Sequence, residues 1–424
     1  MMEKESRRLV NCATLPICLV LISLVYATFF HSNDTILESW GNLSSEKINI
    51  DAVDPQEFLL RRLVRGDDRV QLDSNGFSCR ADVHAQVCVA NKPVRIYNKG
   101  LTVYVPSDSD QPQVKRIVKP YARLEDETAM KRVSPVQILH GKNTIDPPAC
   151  NFTHNVTAVV FSSKGFTDFE LWWVQKYNRC LSHLSAYEVI NPGTDDGSVH
   201  CFPGAVIGLT YHDNLALNSI DIPGGYSMFD FKQFLKESYN LKINHVSEIQ
   251  KPMLMLISRR KTRRFLNEDK MVEMIMELGF QITRVEPEWM YNLDEFAEVV
   301  NSCSVMLGAH GAGLTNEIFL PTGAVMVQVV PLQNEWVATT YYGGPAKEMG
   351  VRYLEYKIEP EESSLFDTYG KDHPVFTDPK SIISKGYNAF RSVYLDQDLK
   401  INLERFKKTL IEAKQIVESS TPIN

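Results

Sequence analysis

No two cysteines of this chain stand in a Cys-x-x-Cys spacing, and no Cys/His set is spaced as a zinc site requires, which excludes a structural zinc module. Basic charge is not in excess. A formal net charge of −7 over 424 residues argues against a general nucleic-acid binder, which would carry a basic face. Internal repeats and long low-complexity tracts are also missing, so solenoid and disordered architectures drop out. What remains is a globular composition, 44 % apolar and 23 % charged, in a chain long enough for two domains.

The first thirty residues depart from that composition. Leu9 to Phe30 is uncharged and mostly apolar, long enough to cross a bilayer as a helix. Lys4, Arg7 and Arg8 precede it and keep residues 1–8 cytoplasmic by the positive-inside rule. A signal anchor over 9–30 is expected. The rival reading is a cleaved signal peptide, for which no clear small-x-small cleavage site follows the run. Either reading delivers the rest of the chain to the secretory lumen. Four glycosylation sequons agree, at Asn33, Asn42, Asn151 and Asn155. Six of the eight cysteines follow the apolar run, an even number in an oxidising space. Cys79 and Cys88 would close a short loop, Cys150 and Cys201 a larger one, and Cys303 reads as a buried thiol.

Residues 31–76 read as a polar stem. A first folded region over 77–245 shows short strand candidates at Val103 to Val105, Ala158 to Phe161 and Ala205 to Leu209, and a helical pattern over Phe169 to Leu181 that carries Trp172 and Trp173. The region 246–395 is more regular. Met253 to Ile257, Gln281 to Val285, Val305 to Ala309 and Ala324 to Val330 are strand-like. Between them run helical stripes, Met271, Met274, Ile275 and Leu278, then Leu293, Phe296, Ala297 and Val300. Asn267 is placed to cap the first of these helices, and Gly279 to end it. Alternating apolar strands and helices predict a parallel, Rossmann-like sheet with ligands at the carboxyl ends of its strands. Residues 396–424 form a C-terminal helical segment.

Two strand ends carry chemistry. Ser258 to Arg264 is a turn rich in arginine and lysine, and guanidiniums pair bidentately with phosphate oxygens. The run Gly308-Ala309-His310-Gly311-Ala312-Gly313-Leu314-Thr315-Asn316 is a glycine-rich strand-to-helix turn, a geometry that cradles a diphosphate at a helix N-terminus. His310 sits within reach of the bound group, Thr315 and Asn316 cap the helix or bond the ligand, and Glu317 and Gln328 are candidates for sugar or ribose hydroxyls. The acidic triplets Asp108-Ser109-Asp110 and Asp396-Gln397-Asp398 resemble manganese-binding motifs, but surface acids account for them better, so no metal is expected.

Val305 to Pro331, Ser258 to Gly279 and Arg352 to Pro379, with Tyr353-Leu354-Glu355-Tyr356 and His373-Pro374-Val375-Phe376-Thr377-Asp378-Pro379, resemble plant glycosyltransferase family 61. The nearest likeness is to xylan arabinosyl- and xylosyltransferases, from about Phe77 to the C-terminus. The resemblance implies a type II Golgi membrane protein of the GT-B arrangement, α/β, with two Rossmann-like domains facing a cleft behind a transmembrane helix and stem. It implies an inverting reaction with a UDP-pentose donor and no required metal or other cofactor. The acceptor would be a cell-wall polysaccharide, xylan first, and the pattern leaves room for complexes with other transferases. Carried over by motif, Arg259 and Arg263 would hold the donor phosphates, and Gly308, His310, Gly311, Ala312, Gly313, Thr315 and Asn316 would line the nucleotide site. At one place the chain departs from the family pattern. After Gly165-Phe166-Thr167, relatives continue with a Gly-Asn-x-x-His-Asp/Glu-Phe stretch, a helix and a strand, and here that piece is absent. With it goes the acceptor-side histidine and acid, so the catalytic base is not assigned and His310 stands only as a candidate. Two alternatives follow: xylosylation of N-glycans, or a catalytically impaired homologue that acts as a scaffold.

Overall fold

The structure is a computed structural model that describes residues 60–106, 113–121, 123–141, 148–161, 174–190, 197–220, 222 and 224–421. The expected anchor, Asn33 and Asn42, Asp108 to Asp110, the junction after Thr167, and Trp172 and Trp173 lie outside these residues. Among the described residues no helix is long and apolar enough to cross a membrane. The fold is mixed α/β in three sheets, divided between two compact units.

The first unit holds the described residues up to Asp213, with Leu217–Tyr226. It opens earlier than the expected stem boundary at residue 76. Leu60 and Leu72 are buried, and helix α1, Gly66–Asn75, packs on strand β1, Phe77–Ala81. The reason is local. A Cβ at Gly204 would stand 2.8 Å from Leu60 Cδ1, so the glycine makes room for that side chain. Strand β2, Gln86–Ala90, returns antiparallel to β1 after a four-residue link, too short for anything but a hairpin. Cys79 and Cys88 face each other across that pair and are bonded, and the expected Cys150–Cys201 bridge is also formed.

Strands β3 (Val94–Tyr97), β4 (Thr102–Pro106), β5 (Val114–Val118), β6 (Val136–Gly141), β7 (Phe152–Thr153) and β9 (Val199–Phe202) make a six-stranded sheet in the order β5-β6-β4-β3-β9-β7. Strands β8 (Ala158–Val160) and β10 (Ala205–Ile207) join β1 and β2 in the order β1-β2-β10-β8. Both sheets mix parallel and antiparallel pairs, unlike the uniformly parallel layer expected of a Rossmann-like domain. Phe77, Cys88, Val103, Ile138, Phe202 and Ile207 belong to one apolar cluster shared by the two sheets. Residues 174–176 are helical, in keeping with the helical pattern, and after one turn residue helix α2, Asn178–Leu184, buries Cys180 and Leu184. Asn151 and Asn155 are both exposed, as a glycan acceptor must be.

The second unit contains Asn214–Ala216 and everything described from Ser227 on. Helix α3, Met228–Ser238, therefore belongs to it, although the sequence pattern placed the boundary at 246. It packs on the segment after the glycine turn, and Lys232 Nζ donates to the Met349 carbonyl at 2.9 Å. Strands β11 (Met253–Ile257), β12 (Gln281–Val285), β13 (Val305–Ala309), β14 (Val325–Val330) and β15 (Arg352–Lys357) form one parallel sheet in the order β12-β11-β13-β14-β15. Every residue of β13 and β14 is buried, whereas the edge strands β12 and β15 expose part of theirs. That gradient is the mark of a sheet covered on both faces.

Helix α4, Glu268–Glu277, buries Met271, Met274 and Ile275, and helix α5, Leu293–Asn301, buries Leu293, Phe296, Ala297 and Val300. Asn267 does not cap α4. Its side chain instead bonds both backbone groups of Ile401, at 2.8 and 2.9 Å, and ties the chain leading to the last helix onto the sheet domain. That helix, α6, Leu403–Ser419, packs on α4, β14 and β15, so it is part of this unit rather than an appendage. Cys303 is a buried free thiol at the α5–β13 junction.

Candidate nucleotide site

A parallel sheet ordered 2-1-3-4-5 reverses its winding between its first and third strands, here β11 and β13. The crevice beyond the carboxyl ends of those two strands is where such sheets bind ligands. The arginine turn leaves β11, and the glycine turn leaves β13. The fold thus brings together the two stretches that the sequence singled out.

Arg259 and Arg263 converge on Gly311. A Cβ on Gly311 would lie 2.5 Å from Arg259 Nη1 and 3.5 Å from Arg263 Nη1, and its φ of +149° suits glycine alone. Arg259 Nε donates to the Thr262 carbonyl (2.8 Å), and Arg263 Nη1 to the His310 carbonyl (3.0 Å). Arg263 sits in the left-handed region, φ 58°, a conformation costing a non-glycine residue about 1 kcal/mol that the turn around it must hold. Both guanidiniums are half-buried, and neither makes an ion pair among the described residues. Burial, then the neighbouring Arg263 charge, pushes Arg259 down to about 10, and burial lowers Arg263 as well. The other two arginines of the turn are exposed and occupied. Arg260 pairs with Glu286, and Arg264 makes a two-nitrogen fork on Asp398 at 2.6 and 3.0 Å. Two half-buried cations held together with no ion-paired carboxylate among the described residues, and with Asp396 acting on Arg263 without forming an ion pair, describe a site whose counter-charge is a ligand.

His310 is buried beside them. Burial first, then Arg263 and Arg259, push its pKa down to about 3, so in the free protein it is neutral at any physiological pH. Its Nδ1 stands 2.7 Å from the side-chain amide of Gln328, in the middle of β14, and its ring meets Tyr342 edge-on with centroids 5.4 Å apart. The other end of the Gln328 amide lies 2.7 Å from the Tyr353 hydroxyl, which is also 2.8 Å from Glu355 Oε1. Gln328 is therefore a residue behind the site, fully buried, and does not present itself to a sugar or ribose.

Other candidates are also placed differently from their expected roles. Glu317 is wholly buried with both carboxylate oxygens unpartnered, and burial raises its pKa well above the ordinary range. It cannot reach a sugar hydroxyl. Its nearest influence is Lys232 of α3, which burial pushes down to about 7. The segment after the glycine turn, Ala312–Phe319, is a 3₁₀ helix rather than an α-helix. Thr315 Oγ1 donates to the Ala312 carbonyl (2.8 Å) and Asn316 Nδ2 to the Gly313 carbonyl (2.9 Å), so both side chains stiffen that helix from within. Gly308 and Gly313 are packing glycines, since a Cβ at either would press Ile257 of β11 at 3.3 and 3.2 Å. Ala312 stands partly exposed beside Gly311. In the triplet at 396–398, Gln397 is buried and bonded to Ser363 and Tyr394, and Asp398 is taken by Arg264. Among the described residues no group of three His, Cys, Asp or Glu is arranged around a common point. Sequence reasoning missed the depth of the Gln328–Tyr353–Glu355 chain. Its signal was a lone glutamine inside Val-Met-Val-Gln-Val-Val, because a polar side chain in an apolar central strand must have partners.

The family model described as Glycosyltransferase 61 matches residues 114–327, half of the chain, and takes in both the arginine and the glycine turns. The chain belongs to glycosyltransferase family 61. An alpha-1,3-arabinosyltransferase of Oryza sativa subsp. japonica is 35 % identical over 387 residues, which cover 82 % of this chain and 66 % of that protein. A beta-1,2-xylosyltransferase of the same organism is 36 % identical over 392 residues, 82 % of this chain and 68 % of that protein. A xylan glycosyltransferase of Arabidopsis thaliana is 31 % identical over 389 residues, 79 % and 78 % respectively. The chain spans just under two thirds of the rice arabinosyltransferase. The family match ends at residue 327, one position before Gln328, so the amide, tyrosine and glutamate behind His310 lie outside it.

Proposed function

We propose that this chain is a pentosyltransferase that moves arabinose or xylose from a UDP-sugar to xylan, with inversion. One observation carries the reading: two half-buried guanidiniums without a carboxylate partner converge on Gly311 at the switch point of a parallel sheet. A nucleoside diphosphate supplies the missing charge, and as it leaves the sugar the arginines stabilise the negative charge that develops on it. Family relatives that are named for arabinosyl, xylosyl and xylan transfer support the choice of sugar and acceptor class. The N-glycan alternative has no comparable support. A GT-B layout with the first, N-terminal domain contributing the acceptor side, a signal anchor over 9–30, glycans on the four sequons and residence in the Golgi membrane complete the proposal. It requires no metal, because the arginines perform the charge neutralisation.

A second reading, a catalytically weakened homologue that binds donor and serves as a scaffold, has a specific observation in its favour. The alignment to the rice arabinosyltransferase runs over 387 positions but draws on 82 % of 424 residues, about 348, so about forty positions of the relative have no counterpart here. A deficit of this kind is what a piece missing after Thr167 would leave. The test is transfer of radiolabelled pentose from UDP-xylose and from UDP-arabinose to xylan oligosaccharides. Label in the oligosaccharide supports the transferase, whereas donor binding without transfer supports the scaffold.

A further inference from the structure

The contacts behind His310 contain one proton too few for the arrangement in which Gln328 gives its amide nitrogen to Nδ1. In that arrangement the Tyr353 hydroxyl would donate to the Gln328 oxygen at 2.7 Å and to Glu355 Oε1 at 2.8 Å, and a phenol has a single proton. Glu355 is held ionised, with its pKa lowered by hydrogen bonds from Thr339, Tyr353 and Lys357 despite its burial. An ionised carboxylate takes the phenolic proton in preference to a neutral amide oxygen. The two ends of a carboxamide have the same shape, so the network decides which way it faces. With Tyr353 committed to Glu355, Gln328 must donate its nitrogen to the Tyr353 oxygen and turn its own oxygen to His310, which then carries its proton on Nδ1. Among the described residues the only ring nitrogen of His310 with a hydrogen bond is Nδ1, so Nε2 is left with a lone pair on a ring that feels the charges of Arg259 and Arg263, a favourable arrangement for the guanidiniums and an unfavourable one for a phosphate oxygen.

We propose that Glu355, Tyr353 and Gln328 are positioning residues for His310: they fix its proton on Nδ1 and leave Nε2 as an open acceptor beside Arg259 and Arg263, so that a bound nucleoside diphosphate draws a proton from solvent onto Nε2. This rests on the reading of that site as a nucleotide site. The groups that face the ring are Arg259 and Arg263 from the turn after β11, Tyr342 from the segment after β14, Gln328 from β14, and, through Gln328, Tyr353 and Glu355 of β15. The arginines oppose a charge on the ring until a diphosphate neutralises them. The carboxylate at the far end of the relay then favours the imidazolium, whose Nε2–H donates to the ligand. The proton returns to solvent when the nucleotide leaves.

The experiment uses the full-length protein and UDP-xylose, whose phosphates do not titrate near neutrality, in calorimetry with buffers of different ionisation enthalpy at pH 6.5. The slope of observed heat against buffer enthalpy should show uptake of roughly half a proton or more per nucleotide. Tyr353→Phe should still bind and should lose most of that uptake. Binding by the wild type with no uptake, or uptake unchanged in Tyr353→Phe, overturns the relay and leaves the nucleotide site standing. If UDP-xylose does not bind at all, the site reading fails. The relay is then decided without ligand, by the ¹⁵N spectrum of histidine-labelled protein with His310→Gln for assignment. A proton on Nδ1 of His310 supports the relay, and a proton on Nε2 overturns it.

Discussion

Arg263 is held by its backbone as much as by its charge. Its amide donates to the Gln397 carbonyl at 2.8 Å and its guanidinium to the His310 carbonyl at 3.0 Å, so the left-handed turn aims the side chain before any ligand arrives. Arg263→Ala should weaken UDP binding by about 10- to 150-fold, the equivalent of 1.5–3 kcal/mol for one lost charge-assisted contact. It should leave the melting temperature within a few degrees, because the residue is in a turn and not in the core. Calorimetry and thermal unfolding on the same sample check both. Gly311→Ala is the complementary change, since its Cβ would occupy the place of Arg259 Nη1. Nucleotide affinity should drop at least as far as in Arg263→Ala, although no charge has been removed. The cluster of arginines was legible in the sequence, but its division into two ion-paired members and two that converge on Gly311 was not. That division depends on Glu286 and Asp398, which reach the turn from other elements.

At the scale of elements, the parallel sheet was legible because β13 and β14 are apolar at every position but Gln328 and the helices between strands carry clean stripes. The first unit was less so. Its strands are short, and their mixed pairing is set by hairpins and by strands distant in sequence. The 3₁₀ helix after the glycine turn escaped because Thr315 and Asn316 bond carbonyls three residues back, a choice that competes with capping and is invisible to periodicity. The glycine turn also carries a pH signature. His310 has a folded-state pKa near 3 against an ordinary 6.5, so its contribution to stability is present in full above about 6.5 and is lost as pH falls towards 3. The loss is at most about 5 kcal/mol, if the whole difference is expressed. His310→Gln should flatten the dependence of unfolding free energy on pH between 6.5 and 4, measured by denaturant titration. A variant as steep as the wild type would assign the acid sensitivity to other groups. In the first unit, replacing Cys150 and Cys201 by alanine should cost about 2–4 kcal/mol, since the bridge closes a long loop onto β9.

At the scale of the whole molecule, the second unit is self-contained: its sheet, both turns, the histidine relay and the C-terminal helix lie within it. The proposed donor site is built from residues of this unit. Transfer requires more, because an acceptor hydroxyl must lose a proton to some base, and His310, neutral and with a depressed pKa in the free protein, is poorly suited to take it. The family resemblance implies that an acceptor-side histidine and acid belong to a piece expected to be absent after Thr167. Restoring that piece from a relative should therefore raise transfer by orders of magnitude and leave UDP affinity unchanged. The most direct test of the account is transfer of labelled pentose from UDP-xylose or UDP-arabinose to xylan oligosaccharides by the wild type and by Arg263→Ala. The account predicts label in the oligosaccharide with the wild type and at least a tenfold lower rate with the variant. Equal rates for the two would contradict it and move the donor site away from the turns after β11 and β13.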